Sequence, residues 1–174
     1  MLIKRLISGI IGIVFVYFFI RWGSLPFFFI NLILIFLGLR EFYQLITEKY
    51  QGNLYLLLSL GLIFTISAYL INRGFFSLSP GLVLFLIIIT LFIYFISRTG
   101  FENIIVYISI NLFAIIYING GLIFLIFLRD LKISFLNYTW PLWVVLIATW
   151  LTDTGAYFTG KYLGKTKLVP KLSP

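Results

Sequence analysis

The sequence predicts an all-α, polytopic integral membrane protein with about six transmembrane helices. Hydrophobic residues make up 62% of the 174 residues and charged residues only 10%, whereas roughly 25% of residues are charged in soluble domains. A water-soluble protein of this size could not bury so much apolar surface. The charged residues separate apolar runs whose lengths suit bilayer-crossing helices, and the total length suits one domain.

Turn and flank residues divide the chain into spans. The predicted spans cover residues 6–20, 25–39, 54–71, 78–97, 104–128 and 140–163. The first is interpreted as an uncleaved span, because bulky residues follow it in place of a small-residue cleavage site. Pro26 and Pro80 fall in first turns, where a missing N–H is harmless. Gly74 suits the C-cap of the third span.

Residues 104–128 allow two interpretations, because Asn119, Gly120 and Gly121 interrupt the apolar run. One kinked span is favoured over a helix followed by a re-entrant piece. Asn111 and Asn119 lie on roughly one helix face, where a packing role is favoured over hydrogen bonding across helices. Residues 129–138 are predicted to form a loop.

The positive charges predict the orientation. With six spans, nine of the 13 Lys and Arg residues lie on the side of the two termini. The positive-inside rule then places both termini in the cytoplasm. Two crossings within residues 104–128 would remove this bias, so the count also favours a single span there.

Asp153 is the strongest candidate for a functional residue. It is the only acidic residue inside a membrane-length apolar run, and an ionisable group at that depth costs at least a few kcal/mol on insertion scales. In a helix, Asp153 shares one face with Tyr157, Lys161 and Lys165. The structural alternative is a buried acid that is neutral or paired with a cation on another helix.

Small residues occupy the adjacent face of the same predicted helix. They are Thr152, Ala156, Gly160 and Gly164. Small residues at this spacing let another helix approach closely in a bilayer. One face of the predicted helix is therefore suited to packing against another helix, and the adjacent face carries Asp153.

Residues 153–174 read D-T-G-A-Y-F-T-G-K-Y-L-G-K-T-K-L-V-P-K-L-S-P. This segment resembles, without a gap, the D-T-G-A-Y-F-x-G-K-x-x-G-K-x-K-L-x-P-x-x-S-P pattern of bacterial phosphatidate cytidylyltransferases, also called CDP-diacylglycerol synthases. Weaker similarities to that family occur at residues 4–5, 40–43 and 120–129.

Two features depart from the family pattern. The family commonly has Arg at the position of Lys161, and Lys lacks the bidentate fork of Arg. Family members also continue past Ser-Pro into further spans that carry more acidic residues and a His-Gly-Gly element, whereas this chain ends at Pro174 and has no His. We therefore expect a truncated or fragmentary form with little or no activity on its own.

The resemblance implies a nucleotidyltransferase of phospholipid biosynthesis that makes CDP-diacylglycerol and pyrophosphate from CTP and phosphatidate in the bacterial inner (cytoplasmic) membrane. It implies Mg²⁺ as cofactor, with Asp153 as metal ligand and catalytic residue. The implied substrate-binding residues are Thr154, Lys161, Lys165, Lys167 and Ser173. The implied partners are CTP, phosphatidate and other membrane lipids, and a homodimer is left open.

A second class of function is a non-enzymatic membrane protein, such as a transporter subunit or scaffold, that uses Asp153 for proton or ion coupling. Such a protein does not need the basic Gly-Lys-x-Lys-Leu-x-Pro run that follows. Nucleic acid is not an expected partner, because the net charge of +8 is spread between apolar runs. Without Cys or His, zinc sites, thiol chemistry and a Ser-His-Asp triad are not expected.

Overall fold

The computed structural model describes residues 2–47, 50, 52–99, 103–131, 139–162 and 164. In this part of the chain every regular element is a helix, which confirms the all-α prediction. The elements are α1 (Leu2–Trp22), α2 (Ser24–Thr47), α3 (Leu54–Asn72), α4 (Pro80–Thr99), α5 (Ile104–Ala114), a π-helical turn (Ile115–Gly120), α6 (Gly121–Asp130) and α7 (Trp140–Tyr162). The chain divides into two compact units, Met1–Asp130 and Leu131–Pro174.

Within the described ranges, four helical segments are long and apolar enough to cross a membrane. They are Ser24–Thr47, Leu54–Asn72, Pro80–Arg98 and Ile104–Asp130, and α1 adds the shorter apolar stretch Gly9–Trp22. Many of their large apolar side chains are exposed, which suits contact with lipid tails. Helices also satisfy their own backbone hydrogen bonds, as the interior of a bilayer requires. The protein is therefore a polytopic membrane protein. The number of crossings, including the one predicted at 140–163, stays a prediction.

Glycine and proline mark the helix ends as the sequence predicts. Gly23 joins α1 to α2 with φ +139°, and Gly74 follows α3 with φ +77°. Such values favour glycine, because a side chain is strained there. The Gly74 N–H donates to the Ile71 carbonyl at 2.9 Å, and Pro80 begins α4. Gly74 thus ends the third helix as predicted, one residue after Arg73, which is the C-cap itself.

The first unit has a continuous apolar core. Helix α2 packs against α1, α3 and α6, while α4 packs against α3 and α5. The buried core side chains are Ile35, Leu39, Leu57, Leu60, Val83, Ile87, Leu91, Phe95, Ile104, Ala114 and Ile115. The core thus draws on α2 to α5 and on the start of the π turn.

Helical structure runs without a break from Ile104 to Asp130. The expected interruption at Asn119, Gly120 and Gly121 takes the form of the π turn. The prediction of a loop from residue 129 is wrong at its start, because Arg129 and Asp130 are the last residues of α6. Their side chains are satisfied by other helices, as described below, so the charges do not end the helix.

Asn119 bonds across helices from within the π turn. It is fully buried, and its Nδ2 donates to the Gly61 carbonyl at 2.8 Å and to Thr65 Oγ1 at 3.0 Å. Asn111 instead donates to the Tyr107 carbonyl of its own helix at 2.8 Å. The favoured packing role therefore fails for Asn119, because the π turn directs its side chain onto α3.

Gly61 is a point of close approach between α3 and its neighbours. A Cβ atom there would lie 2.5 Å from Leu39 Cδ1 and 3.0 Å from Asn119 Nδ2. Leu39 is itself fully buried, so its methyl group has little room to move. Gly61 thus lets α2 and the π turn pack directly against the α3 backbone.

We expect Gly61→Leu to destabilise the protein by about 1–3 kcal/mol, because overpacking displaces core side chains. Unfolding of the purified protein in detergent, followed by circular dichroism, measures this loss. Gly81→Leu is the matched control, since a Cβ at Gly81 meets only Ser79 Oγ at 3.8 Å. Equal stability of the two variants would contradict the close approach at Gly61.

Candidate functional site

Helix α7 carries the part of the predicted site that the structure describes. It runs from Trp140 to Tyr162, so the segment around Asp153 is helical, as predicted. Asp153, Tyr157 and Lys161 follow one another at four-residue spacing and therefore share a face. Helix periodicity thus places a carboxylate two turns from a cation on that face.

Lys161 lies beside aromatic rings at the end of α7. Its Nζ atom is 5.9 Å from the Tyr157 ring centroid and 5.5 Å from the Tyr162 ring centroid. A cation over an aromatic face is attracted by the ring quadrupole. Both rings therefore stabilise the ammonium charge at this end of the helix.

All described side chains from Leu151 to Tyr162 are exposed. Asp153 and Thr154 are therefore open to a ligand. Thr152 Oγ1 instead donates to the Ala148 carbonyl within the helix at 2.8 Å. The hydroxyl of Thr152 is thereby committed to the backbone.

Two of the predicted small residues, one in α7 and one after it, have different roles. A Cβ atom at Gly160 would meet nothing within 4 Å, whereas one at Gly164 would collide with the Gly160 carbonyl oxygen. The Gly164 N–H donates to the Thr159 carbonyl at 3.1 Å. Gly164 is therefore required by the backbone after the helix, and Gly160 leaves open space on the helix surface.

The structure covers only part of the predicted site. It places Asp153, Thr154 and Lys161 on one helix, while Lys165, Lys167 and Ser173 lie outside the described residues. Within the described ranges, no three His, Cys, Asp or Glu side chains come together as a metal site. Mg²⁺ is commonly held by one or two carboxylates with phosphate oxygens and waters. An exposed carboxylate at Asp153 fits one such position.

A second polar cluster lies in the first unit, where α1, α2 and α6 end or begin. Arg129 donates from Nε and Nη2 to the Ile20 carbonyl at 3.2 and 3.1 Å and from Nη1 to Asp130 Oδ1 at 2.6 Å. Ser24 Oγ donates to Asp130 Oδ2 at 3.0 Å. The cation thus lies at the carboxyl end of α1 and the carboxylate at the amino end of α2, as the helix dipoles favour.

Sequence reasoning missed this cluster. It treated Arg129 and Asp130 as loop charges, although both are largely shielded from solvent. The available signal was a pair of adjacent opposite charges directly after an apolar run. Their partners at Ile20 and Ser24 are distant in sequence, so the pattern alone could not find them.

Comparison with known proteins points to one family. The profile of the cytidylyltransferase family matches residues 3–174, nearly the whole chain. Phosphatidate cytidylyltransferase of Bacillus subtilis (strain 168) is 46% identical over 61 residues, which are 35% of this chain and 22% of that protein. The Staphylococcus aureus (strain COL) protein of the same name is 36% identical over 63 residues, 36% of this chain and 22% of that protein.

A shorter and more similar match occurs in the phosphatidate cytidylyltransferase of Haemophilus influenzae, which is 57% identical over 30 residues, 17% of this chain and 10% of that protein. The matched segments of the Bacillus and Staphylococcus proteins each span about a fifth of their length. No solved structure matches the chain.

We expect Arg129→Met to destabilise the protein by about 1–3 kcal/mol, because it removes the donors to the Ile20 carbonyl and leaves the Asp130 carboxylate without its compensating cation. Detergent unfolding measures the loss. The double variant Arg129→Met/Asp130→Asn should lose less than Arg129→Met, because it leaves no uncompensated charge. Arg98→Met, at an exposed position, should stay within about 0.5 kcal/mol of the parent. A double variant no more stable than Arg129→Met would contradict this assignment.

Proposed function

Since this chain belongs to the cytidylyltransferase family, we propose that it takes part in the transfer of a cytidylyl group from CTP to phosphatidate at the membrane. The observation that carries the proposal is the face of α7 on which Asp153 and Lys161 lie within one helix. An exposed acid two turns from a basic helix end suits a ligand that carries both phosphates and a metal ion. The names of the similar bacterial proteins support the same substrates.

The proposed reaction forms one bond and breaks one bond at phosphorus. A phosphate oxygen of phosphatidate attacks the α-phosphorus of CTP, and the bond from that phosphorus to the bridging oxygen of the β-phosphate breaks. CDP-diacylglycerol forms and pyrophosphate leaves with the bonding electron pair. Phosphoryl chemistry of this kind depends on positioning and on electrostatic stabilisation more than on covalent participation of the protein.

The residues of this chain would neutralise and orient the phosphates. Asp153 would hold Mg²⁺ as one carboxylate ligand, and Lys161 would contact phosphate as a point cation. Bound Mg²⁺ supplies charge neutralisation at the phosphate oxygens. Thr154 offers an exposed hydroxyl beside Asp153. Lys165, Lys167 and Ser173 remain predicted contacts with the substrate phosphates.

The charge distribution supports a site open to the cytosol. The side that would hold both termini carries nine of the 13 Lys and Arg residues, so the proposed orientation places the basic end of α7 in the cytoplasm. CTP is a cytosolic anion, and phosphatidate carries its phosphate at the membrane surface. We therefore place the protein in the inner membrane, with the site at its cytoplasmic face.

We expect Asp153→Asn to reduce CTP-dependent formation of CDP-diacylglycerol by at least ~100-fold, because the amide cannot neutralise a metal ion. The assay uses membranes that contain the full chain, with phosphatidate, radiolabelled CTP and Mg²⁺. Binding of labelled CTP to the same membranes, with and without Mg²⁺, gives a second readout. We expect the Mg²⁺-dependent part of that binding to disappear in the variant.

The matched control is Thr149→Val, one turn before Asp153 on the same face. The Thr149 hydroxyl donates to the Val145 carbonyl of its own helix at 2.9 Å, so its loss should leave both readouts unchanged. Equal CTP binding by the parent and by Asp153→Asn would count against a nucleotide site at Asp153. It would favour the alternative in which the acid couples ion or proton movement.

Variants of Lys161 separate the effect of its charge from the effect of its hydrogen-bonding geometry. We expect Lys161→Gln to raise the Kd for CTP by about tenfold, equivalent to about 1.4 kcal/mol, because a phosphate contact loses its cation. Lys161→Arg should keep the parental Kd or lower it, since the guanidinium group binds phosphate in a bidentate manner. Arg21→Gln, at an exposed position next to the end of α1, is the control and should leave the Kd unchanged. Binding of labelled CTP to the membranes measures each value, and a Kd equally insensitive to all three changes would remove Lys161 from the site.

A further inference from the structure

The π turn is in contact with two neighbouring helices. On α3, Asn119 Nδ2 donates to the Gly61 carbonyl and to Thr65 Oγ1, and Thr65 Oγ1 donates to the same carbonyl at 2.9 Å. On α2, a Cβ atom at Gly38 would lie 3.1 Å from Ile118 Cγ2. The π turn therefore packs against α3 at Gly61 and against α2 at Gly38.

A π turn changes the register of everything that follows it. It accommodates one residue more than an α-helical turn. Without it, α6 would rotate by about 100° and shift by about 1.5 Å along its axis. Each position in α6 would then be taken by the preceding residue in the sequence.

The two fully buried positions of α6 do not distinguish the two registers. Ile123 and Ile126 are buried in α6. In a regular α-helix, Leu122 and Leu125 would take their positions, and these are apolar residues of the same volume. At these two positions hydrophobic packing would therefore tolerate either register.

The polar residues do distinguish the registers. Without the π turn, Leu128 would replace Arg129 at the Ile20 carbonyl, and Arg129 would replace Asp130 at Ser24. Asn119 would also rotate away from Gly61. The observed register thus depends on polar contacts at the two ends of α6.

We propose that Asn119, bonded to Gly61 and Thr65, stabilises the π turn and thereby positions Arg129 and Asp130 at the junction of α1 and α2. Asn119 is a positioning residue that acts on this junction through the register of α6. Its Oδ1 atom has no hydrogen-bond partner among the described residues, so the side chain is only half satisfied. Buried Asn residues that specify helix register at a cost in stability are known from coiled coils. This inference does not depend on the proposed enzymatic activity.

Disulfide trapping reports the register directly. The chain has no cysteine, so two introduced cysteines form the only possible intramolecular disulfide. The pair Ser24→Cys/Asp130→Cys traps the observed register, and the pair Ser24→Cys/Arg129→Cys traps the register without the π turn. Oxidation in membranes, followed by alkylation and mass spectrometry of the intact chain, gives the rate for each pair.

In the parent, we expect the 24/130 pair to form at least about tenfold faster than the 24/129 pair, because disulfides need narrow Cα distances and directions. In Asn119→Leu, this preference should disappear or reverse. An unchanged preference in Asn119→Leu would overturn the proposal.

A single-residue deletion separates loss of register from unfolding. Deleting Ile116, an exposed residue of the π turn, should turn the segment into a regular α-helix and leave every later residue in its observed place. The deletion should therefore keep the 24/130 preference in the parent and restore it in Asn119→Leu. An alanine inserted after Ile116 should not restore it. Failure of the deletion to keep the preference in the parent would also overturn the proposal, even if Asn119→Leu cannot be purified.

Discussion

In a bilayer a buried polar group has to find its partner inside the protein, and the contact between Asn119 and the Gly61 carbonyl is where this requirement shapes the first unit. The carbonyl accepts from Asn119 and from Thr65. It is accessible to Asn119 because Gly61 has no side chain. The helices α2, α3 and the π turn meet around this one backbone group, and the buried apolar residues fill the space on either side of it.

The two aspartates on described helices differ in how far their carboxylates are already hydrogen-bonded. Asp130 accepts from Arg129 and from Ser24, so its carboxylate is committed to holding three helix ends together. Asp153 is exposed on α7, next to a helix end that carries Lys161. A carboxylate whose lone pairs are already used is a poor metal ligand, whereas an exposed one can bind. The same residue type thus has a structural role in one unit and is available for a ligand in the other.

The composition and the positions of glycine and proline predicted most of the fold. The excess of apolar residues predicted the membrane-protein class, and Gly74 and Pro80 predicted the limits of α3 and α4. The helical placement of Asp153 and Lys161 also followed from the sequence. Local patterns could not reveal the π turn, because Asn119 takes its role from Gly61, which is remote in sequence. For the same reason Arg129 and Asp130 were predicted to lie in a loop, although Ile20 and Ser24 provide their partners.

The contact between Arg129 and Ile20 has a consequence for biosynthesis. The two residues are 109 positions apart, and protein synthesis adds roughly 5–20 residues per second. The Ile20 carbonyl near the end of α1 is therefore without its guanidinium partner for on the order of 5–20 s, until Arg129 has been synthesised. During this interval the first hairpin has to persist on its own helical hydrogen bonds and on water at the membrane surface. Once α6 is complete, Arg129 can bond to the Ile20 carbonyl and fix the hairpin of α1 and α2 within the first unit.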